Sequence, residues 1–389
     1  MLLLLMIVLL PYLFTPVYDF PDPKPFSGDK FYNPYKELNG KWIKANFAVN
    51  GLAWSGFTNG ANTSEEIYDR YTDLGYKLVG FGDYQKITGR VKGQQLFIPV
   101  YEHGYNILKR HHLCIGAYDV NWIEFPLIQS IHQKQFMNNI LKDDCEVLTL
   151  AHPMLLNAYS KEDISKLTDY DCLEVFNNFR SSEKLWDVAL SSGKKVWIMA
   201  NDDTHDINSS EGAGNYWNMI LSNDCSSNSI INSIKTGAHF AASGKNGVVE
   251  NSIKRVVVEN NRLEVKLTED AEAFIFISDN SYVKKIVNEK TSCAFYDIQP
   301  EDTYVRVEVH NKNSRMYLNP VFRYTGEIIE QHASINWIAS IAYWVIYLLF
   351  YVPFVYIVFT RVYGVRILGK YIQSKKIGRI QPAGNYFKT

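Results

Sequence analysis

The chain has 389 residues, which is enough for two soluble domains and a membrane anchor. Its residues are 47% hydrophobic and 21% charged, as in an ordinary globular protein, and the net charge of -1 gives no electrostatic basis for nucleic-acid binding. The five cysteines lie far apart without a C-x-x-C pair, which argues against a zinc ribbon or a thioredoxin-type site but leaves one disulfide open.

The N-terminal residues Leu2–Phe14 form an apolar run. The run lacks a basic n-region and an A-x-A cleavage site, and its brevity and Pro11 argue against a robust membrane span. We interpret it as either a cleaved export signal or a short anchor. The segment Pro16–Lys36 is rich in Pro, Tyr and Asp and is predicted to be an extended linker, so that residues 1–36 form the signal or anchor and its linker.

Residues 37–250 alternate short apolar runs with amphipathic helical patterns. This alternation predicts a parallel sheet or a barrel. The predicted strands are Trp42–Val49, Tyr76–Phe81, Gln95–Val100, His112–Ala117, Val147–Ala151, Cys172–Phe176 and Lys195–Ala200, and the predicted helices are Ser64–Leu74, Ser130–Leu141 and Ser182–Ser191.

Residues 251–326 have a different pattern, in which short strands follow one another through turns. This pattern predicts a small antiparallel β-sandwich. The predicted strands are Lys254–Val258, Arg262–Leu267, Ala273–Ile277, Val283–Val287, Tyr304–Val309 and Met316–Asn319.

The segment Trp337–Phe359 contains no Asp, Glu, Lys, Arg or His. At about 1.5 Å per residue it is long enough to cross a hydrocarbon core of about 30 Å, so residues 334–362 are predicted to form a transmembrane helix in a lipid bilayer. The residues that follow are basic and lack acidic side chains, which places the tail, 363–389, in the cytoplasm. The globular part is then predicted to be extracytoplasmic.

Polar side chains occur near the ends of the predicted strands of the first region. In a β/α barrel the carboxyl ends of the strands form the active-site face, and His, Glu and Asp meeting there predict a divalent-metal site. The residues concerned are Asn50, Asp83, Tyr84, Glu102, His112, His152, Glu174, Asn177, Asp203 and His205. His112 is the exception, because it lies at the start of its strand.

The order and spacing of these residues resemble the PHP family, the polymerase and histidinol phosphatase metal-dependent phosphoesterase domain, in its exported branch with a β-sandwich behind the barrel. The resemblance extends from about Lys44 to Tyr324. It rests on the segments Lys44–Asn50, Gly75–Tyr84, Glu102, His111–Leu113, Ala151–Pro153, Glu174–Asn177, Asp202–His205, Trp217, Ile234–Gly237 and Ala242–Gly244.

The resemblance implies a distorted seven-stranded (β/α)7 barrel with up to three metals. Glu102, His112 and His152 match the ligands of one complete family site, and Asp203 and His205 match ligands of the other two. Asn50, Asp83, Tyr84, Glu174 and Asn177 would line the pocket. Three ligand positions are substituted: the family's H-x-H motif is replaced by Ala48 and Asn50, and a later histidine by Tyr84. One divalent metal, zinc or manganese, is therefore expected.

Two functions remain open from the sequence. The first is a membrane-anchored, metal-dependent phosphoesterase acting on an unidentified phosphoester. The second is a non-catalytic descendant that binds a ligand or a partner outside the cytoplasm without a metal. Neither the substrate nor the oligomeric state can be inferred from the chain.

Overall fold

A computed structural model of the chain describes residues 2–209 and 212–377. The chain divides into two compact units. The larger one is Asp19–Ser334, and the other combines the N-terminal residues through Tyr18 with the C-terminal residues from Ile335. The predicted boundary between residues 250 and 251 falls inside the larger unit and stays a prediction. Residues 378–389 of the predicted tail lie outside the described residues.

Strands dominate the larger unit, and helices contact several of them. In chain order the strands are β1 Tyr18–Asp19, β2 Lys30–Tyr32, β3 Lys41–Val49, β4 Leu78–Phe81, β5 Val100–His103, β6 His112–Ala117, β7 Cys145–Leu150, β8 Cys172–Phe176, β9 Trp197–Ala200, β10 Tyr216–Ser222, β11 His239–Ser243, β12 Ile253–Glu259, β13 Arg262–Ala271, β14 Ala273–Ser278, β15 Tyr282–Val287, β16 Thr291–Asp297, β17 Tyr304–His310, β18 Arg315–Leu318, β19 Val321–Tyr324 and β20 Ser334–Ile335. The α-helices are α1 Leu2–Leu9, α2 Ser64–Asp73, α3 Ile131–Asp144, α4 Lys161–Lys166, α5 Glu183–Ser191, α6 Ser227–Thr236 and α7 Trp337–Ile377.

Local sequence signals explain where the helices begin and end. The hydroxyl of Thr63 accepts from the backbone N–H of Glu66, and the Glu66 carboxylate accepts from the backbone N–H of Thr63, so a capping box starts α2. Ser130 and Gln133 form the same motif at the start of α3. Helix α6 ends at Gly237, whose φ of 78° is the left-handed conformation that favours glycine.

The seven strands predicted for the first region are divided between two sheets. Strands β5 to β9 form a five-stranded sheet in chain order, and β3 and β4 lie at one end of a ten-stranded sheet. Isolated parallel bridges link Val49 with Thr204 and Tyr84 with Glu102, joining the two sheets beside the carboxyl ends of β3 and β4. The architecture is mixed α/β. Regular pairing does not confirm a closed seven-stranded barrel, which stays a prediction.

The predicted antiparallel sandwich is not shown as a separate pair of sheets. Strands β14, β15, β17 and β18 continue the ten-stranded sheet through the pair β18–β11, and β12, β13 and β16 form a three-stranded antiparallel sheet. Part of the segment predicted as a linker also belongs to the ten-stranded sheet, because its strand β2 pairs with β19. The predicted strand Gln95–Val100 is wrong in its bounds: the strand starts at Val100, directly after Pro99, which has no N–H for a ladder.

The smaller unit contains the two apolar helical segments, one near each end of the chain. By length and composition, Trp337–Arg361 is the one helix of the described residues that could cross a membrane, and Leu3–Phe14 is a shorter apolar helix. Four side chains of α7 donate to backbone carbonyls of the N-terminal segment. Tyr351 donates to Met6 at 3.1 Å, Tyr347 to Leu9 at 2.7 Å, Tyr343 to Tyr12 at 3.1 Å and Trp344 to Thr15 at 3.0 Å.

Candidate metal centre

Three buried side chains from consecutive strands meet in the five-stranded sheet. Glu102 lies in β5, His111 directly precedes β6, and His152 follows β7. Nδ1 of His111 lies 2.5 Å from Oε1 of Glu102, and Nε2 of His152 lies 3.1 Å from the same oxygen. Their ligand atoms all lie within 4.8 Å of one another. Two imidazoles and a carboxylate at this spacing suit a divalent transition metal.

His112 is not part of this cluster, although the sequence predicted it as a ligand. Successive residues of a strand point to opposite faces. The ring of His112 consequently faces α3, where its Nε2 lies 3.0 Å from Oδ1 of Asn138. Burial lowers the pKa of His112 to about 4 and keeps the ring neutral. His111, which the sequence analysis did not predict as a ligand, lies beside Glu102 instead.

Glu174 supports the backbone at His152, and Asn177 in turn positions Glu174. One carboxylate oxygen of Glu174 accepts the backbone N–H of His152 at 2.9 Å and the amide of Asn177 at 3.1 Å. Its other oxygen accepts the amide of Asn201 at 2.8 Å. His152 needs this support because its φ is 29°, a conformation that L-residues rarely adopt and that occurs mainly where the surroundings enforce it.

Asp203 lies beside the cluster between two amides. The amide of Asn50 donates to one carboxylate oxygen of Asp203, and the amide of Asn177 donates to the other, both at 3.3 Å. Asp203 also has a positive φ, of 51°. Burial and the charge of Glu102 raise its pKa well above the ordinary value for aspartate.

His205 follows Asp203 and is partly buried. Its Nδ1 lies 3.1 Å from the backbone carbonyl of Asp203, which leaves Nε2 without a hydrogen-bond partner among the described residues. The ring of His205 lies 6.3 Å from that of Tyr84, whose ring in turn meets His111 edge to face at 5.3 Å. Tyr84 therefore occupies the space between these two histidines.

Asp83 has a structural role in the loop around the site. One of its carboxylate oxygens accepts the backbone N–H of Gly51 at 2.7 Å, and the other accepts the hydroxyl of Thr88. Ala48, the other substituted family position, is a buried residue of β3 whose methyl group offers no ligand atom. The structure thus places Asn50, Tyr84, Asp203 and His205 around the cluster, whereas Asp83 supports a loop.

The cluster carries a charged pair and a neutral histidine. Burial alone would raise the pKa of Glu102, but hydrogen bonds and charge from His111 and His152 bring it well below its ordinary value. Burial opposes protonation of His152 too, yet the carboxylates of Glu102 and Asp203 raise its pKa to about 9. Burial lowers the pKa of His111 in spite of Glu102. Without a metal, Glu102 is accordingly an anion paired with a protonated His152, and a metal that binds there would displace this proton.

The donor atoms fit a metal ion. Among the described residues, Oε2 of Glu102, Nδ1 of His152, Nε2 of His205 and Oδ1 of Asn50 are buried without a hydrogen-bond partner. Orphaned buried polar atoms are uncommon, and an absent ion is one of their ordinary explanations. The residues present therefore accommodate one divalent metal on Glu102, His111 and His152.

Two further residues at the site escaped the sequence analysis. Asn201 bonds Glu174 and also accepts the backbone N–H of Phe47 at 2.9 Å, which ties β9 to β3. The ammonium of Lys109 lies 5.8 Å from the ring centre of Tyr84, where it brings a positive charge to the site. Only the position of Asn201 directly after an apolar strand could have indicated its role.

Comparisons with known proteins gave one structural likeness. No family model and no curated protein matches the chain. Among solved structures, the fold is similar to a two-domain protein from Bacteroides vulgatus that contains a predicted PHP-like metal-dependent phosphoesterase. The identity is 10% and the TM-score 0.40, over 82% of this chain and 100% of the other.

Proposed function

We propose that the chain is a membrane-anchored, PHP-like metal-dependent hydrolase of the phosphoesterase type. Its single divalent metal, zinc or manganese, is held by Glu102, His111 and His152. The observation that supports this most strongly is the convergence of the three buried side chains within 4.8 Å. The sequence resemblance to the PHP family supplies the phosphoester as the class of substrate.

A bound divalent metal supplies Lewis acidity, which polarises a phosphoryl oxygen and makes water a better nucleophile at neutral pH. The chain's own residues then position and stabilise the substrate. Nε2 of His205, which has no hydrogen-bond partner among the described residues, can exchange a proton with the substrate. Burial keeps the hydroxyl of Tyr84 protonated by raising its pKa, so it can donate to a phosphoryl oxygen, and Lys109 offers a positive charge nearby.

A non-catalytic binding protein is the second candidate. It is favoured by the surroundings of Asp203, a family ligand position that here accepts two amide hydrogen bonds from Asn50 and Asn177. Those amides satisfy a carboxylate that would otherwise need a cation. A site with one metal also lacks the second cation that usually helps to stabilise the leaving oxygen.

Hydrolysis of bis(p-nitrophenyl) phosphate by the full chain in detergent separates the two functions. The chain is stripped with a chelator and reloaded with zinc or manganese. The hydrolase predicts turnover that needs the metal and disappears in His152→Ala. Turnover should persist in His310→Ala, because His310 of β17 lies beside Glu308 and is not part of the cluster. Metal binding without turnover would favour the binding protein, and a chain that binds no metal would contradict the hydrolase.

We also propose that α7 anchors the protein in a membrane with the larger unit outside the cytoplasm. The basic residues that follow Thr360 support this orientation through the positive-inside rule. A reporter enzyme that is active only outside the cytoplasm, fused before Asp19, should be active, whereas a C-terminal fusion should not. The opposite pattern would contradict the orientation while leaving the metal site untouched.

A further inference from the structure

One cavity of the larger unit lies away from the candidate metal centre. It has a volume of about 370 Å³ and is bordered by the residues that precede β8 and β9, including Asp171 and Val196. The residues that follow the same two strands, Asn177 and Asp203, belong to the metal site. The two sites are therefore at opposite ends of β8 and β9. A cavity of this size accommodates a small organic molecule.

The charged groups around the cavity are unequally paired. Lys142 pairs with Asp171, Lys195 with Glu330, and His332 with Asp169 at 2.6 Å, which accounts for all but one of the acidic residues that line it. Three further cations, Lys24, Lys194 and Arg323, line it without a carboxylate partner in the described residues, against a single unpaired acid, Glu327. The cavity wall thus carries an excess of positive charge.

Lys194 is the most informative of these cations. The residue is only 6% exposed, and its ammonium makes one long hydrogen bond, 3.3 Å, to the backbone carbonyl of Lys166. Burial lowers its pKa to about 8 against the opposing influence of Asp169. A buried ammonium with donors to spare is costly unless an anion pairs with it.

The wall also carries apolar side chains, and one irregular segment borders it. Phe26 stacks on Phe322 with ring centres 4.3 Å apart, and Ile329 lines the cavity although it is 75% exposed. The segment 327–333, here called the strap, is held at its edge by Gln331, which donates to the backbone carbonyl of Ser192 at 3.2 Å. Apolar surface beside buried positive charge suits a molecule with an acidic head and a hydrocarbon portion.

We propose that this cavity binds an anionic amphiphile, whose phosphate or carboxylate pairs with Lys194 and whose hydrocarbon portion lies against Phe26, Phe322 and Ile329. Two sources have this chemistry: an acidic membrane lipid and a soluble alkyl phosphate or fatty acid. The strap leads within a few residues into the apolar helix that begins at Trp337. Membrane lipid is the source that this continuity of the chain favours, an inference that rests on the proposed anchoring of that helix in a membrane.

Calorimetry on the full chain in detergent tests the site with three probes: hexyl phosphate, hexanol and inorganic phosphate. The proposal predicts that hexyl phosphate binds at least about tenfold more tightly than either of the others, because it alone supplies both the head and the tail. In Lys194→Gln its affinity should fall at least about tenfold, which corresponds to about 1.4 kcal/mol. The control is Lys195→Gln, whose ammonium already pairs with Glu330, and its affinity should change less than about threefold.

Ile329→Glu provides a second variant that does not depend on a buried residue. Its side chain is exposed, so folding should be unaffected, and the new carboxylate should repel an acidic ligand. If Lys194→Gln fails to fold, the affinity of Ile329→Glu for hexyl phosphate tests the proposal instead. Equal affinity for hexyl phosphate and hexanol, or unchanged binding of hexyl phosphate in a folded Lys194→Gln or in Ile329→Glu, would overturn the proposal.

Native mass spectrometry from nanodiscs containing phosphatidylcholine and phosphatidylglycerol distinguishes the source. A retained phosphatidylglycerol that disappears in Ile329→Glu identifies membrane lipid. Binding of hexyl phosphate without a retained lipid identifies a soluble amphiphile and overturns the preference for lipid. Because hexyl phosphate is a phosphoester and could also bind at the proposed metal site, the calorimetry is repeated without added metal in His152→Ala. The proposal predicts unchanged binding of hexyl phosphate in that variant even if the proposed hydrolase activity is absent, and binding that disappears with His152 would overturn it.

Discussion

His111 and His112 are neighbours in the sequence, yet their rings contact different partners. The imidazole of His111 lies beside the carboxylate of Glu102, and that of His112 lies beside Asn138 of α3. Both rings are buried, so neither can be exchanged for an apolar residue without leaving a polar group unsatisfied. Only His111, however, shares an oxygen of Glu102 with His152.

Replacing each of these histidines separately distinguishes their roles. We expect His111→Ala to weaken zinc binding by more than about 100-fold, because it removes one of three protein ligands. His112→Ala should leave zinc affinity within about threefold and instead lower the melting temperature, since it leaves Asn138 without its partner. Competition for zinc with a chromogenic chelator measures both variants. Equal loss of affinity in the two would contradict the assignment.

At the scale of residues, most of the site could be inferred from the sequence because strand ends gather at one edge of a sheet. Glu102, His152 and Asp203 were predicted from that rule, and the structure places them together. Of two adjacent histidines, the sequence analysis chose His112 as the ligand, whereas the cluster contains His111. The error is one residue because a shift of one residue reverses the direction of a side chain in a strand. Lys109 carried no signal at all, as it lies in a loop.

The face of α7 turned toward the N-terminal segment is a row of hydrogen-bond donors. Tyr343, Tyr347 and Tyr351 are spaced four residues apart, so they line one face of the helix. Their carbonyl partners, Met6, Leu9 and Tyr12, are spaced three apart. In lipid an unpaired hydroxyl or carbonyl has no water to bind, so these bonds hold the two segments together.

We therefore expect residues 2–14 to remain in the mature chain as a membrane segment bound to α7. Intact mass of the protein purified from membranes should include them, and a mass that lacks them would contradict this. Replacing Tyr343, Tyr347 and Tyr351 by Phe should speed amide hydrogen exchange in residues 2–14 by up to about 20-fold, at about 0.6 kcal/mol for each bond. Tyr356→Phe, on an exposed part of α7, should have no effect.

Among the helices and strands, the best predicted are those with a regular hydrophobic pattern and a clear sequence signal at their ends. Strands β6 and β8 have the predicted bounds, and α2 has its predicted start at Ser64 because a capping box marks it. Strand β10 was missed since Asn218 interrupts its apolar run. That amide is buried and bonds both the N–H and the carbonyl of Ala200, which only the tertiary structure provides.

At the scale of the whole molecule, a buried ion network joins α5 to the C-terminal strands. The guanidinium of Arg306 in β17 donates to both oxygens of Asp187 in α5, at 2.8 and 2.9 Å, and to Glu308 at 2.6 Å. Arg306 is 3% exposed, and Glu183 lies 3.8 Å away. The network connects the regions on both sides of the predicted boundary at residue 250, in agreement with one compact unit from Asp19 to Ser334.

Removing the cation of this network should destabilise the larger unit. We expect Arg306→Met to cost about 3 to 5 kcal/mol, because it leaves buried carboxylates unpaired. The melting temperature, measured by tryptophan fluorescence, should fall by roughly 5 to 15 °C. Arg262→Met is the matched control: its ion pair with Asp297 is exposed and screened by solvent, so its loss should leave the melting temperature nearly unchanged. Equal shifts in the two variants would show that the network does not stabilise the fold.

The same network predicts how stability depends on pH. Burial and the neighbouring Glu308 raise the pKa of Glu183 to about 7 in the folded chain, above its ordinary value near 4.5. The folded state thus binds the proton more tightly, and this contribution to stability is present below pH 4.5 and is lost as the pH rises through 7. Between pH 5 and pH 8 the melting temperature should fall less in Glu183→Gln than in the unaltered chain. An identical fall in both would refute the pKa assignment.

The account depends above all on a metal bound by Glu102, His111 and His152. The most direct measurement is anomalous diffraction at the zinc edge from crystals of the full chain soaked in zinc. We predict one strong anomalous peak about 2.0–2.3 Å from a nitrogen of His111, a nitrogen of His152 and a carboxylate oxygen of Glu102. No peak there at full zinc exposure, or a peak that involves His112 instead, would contradict it.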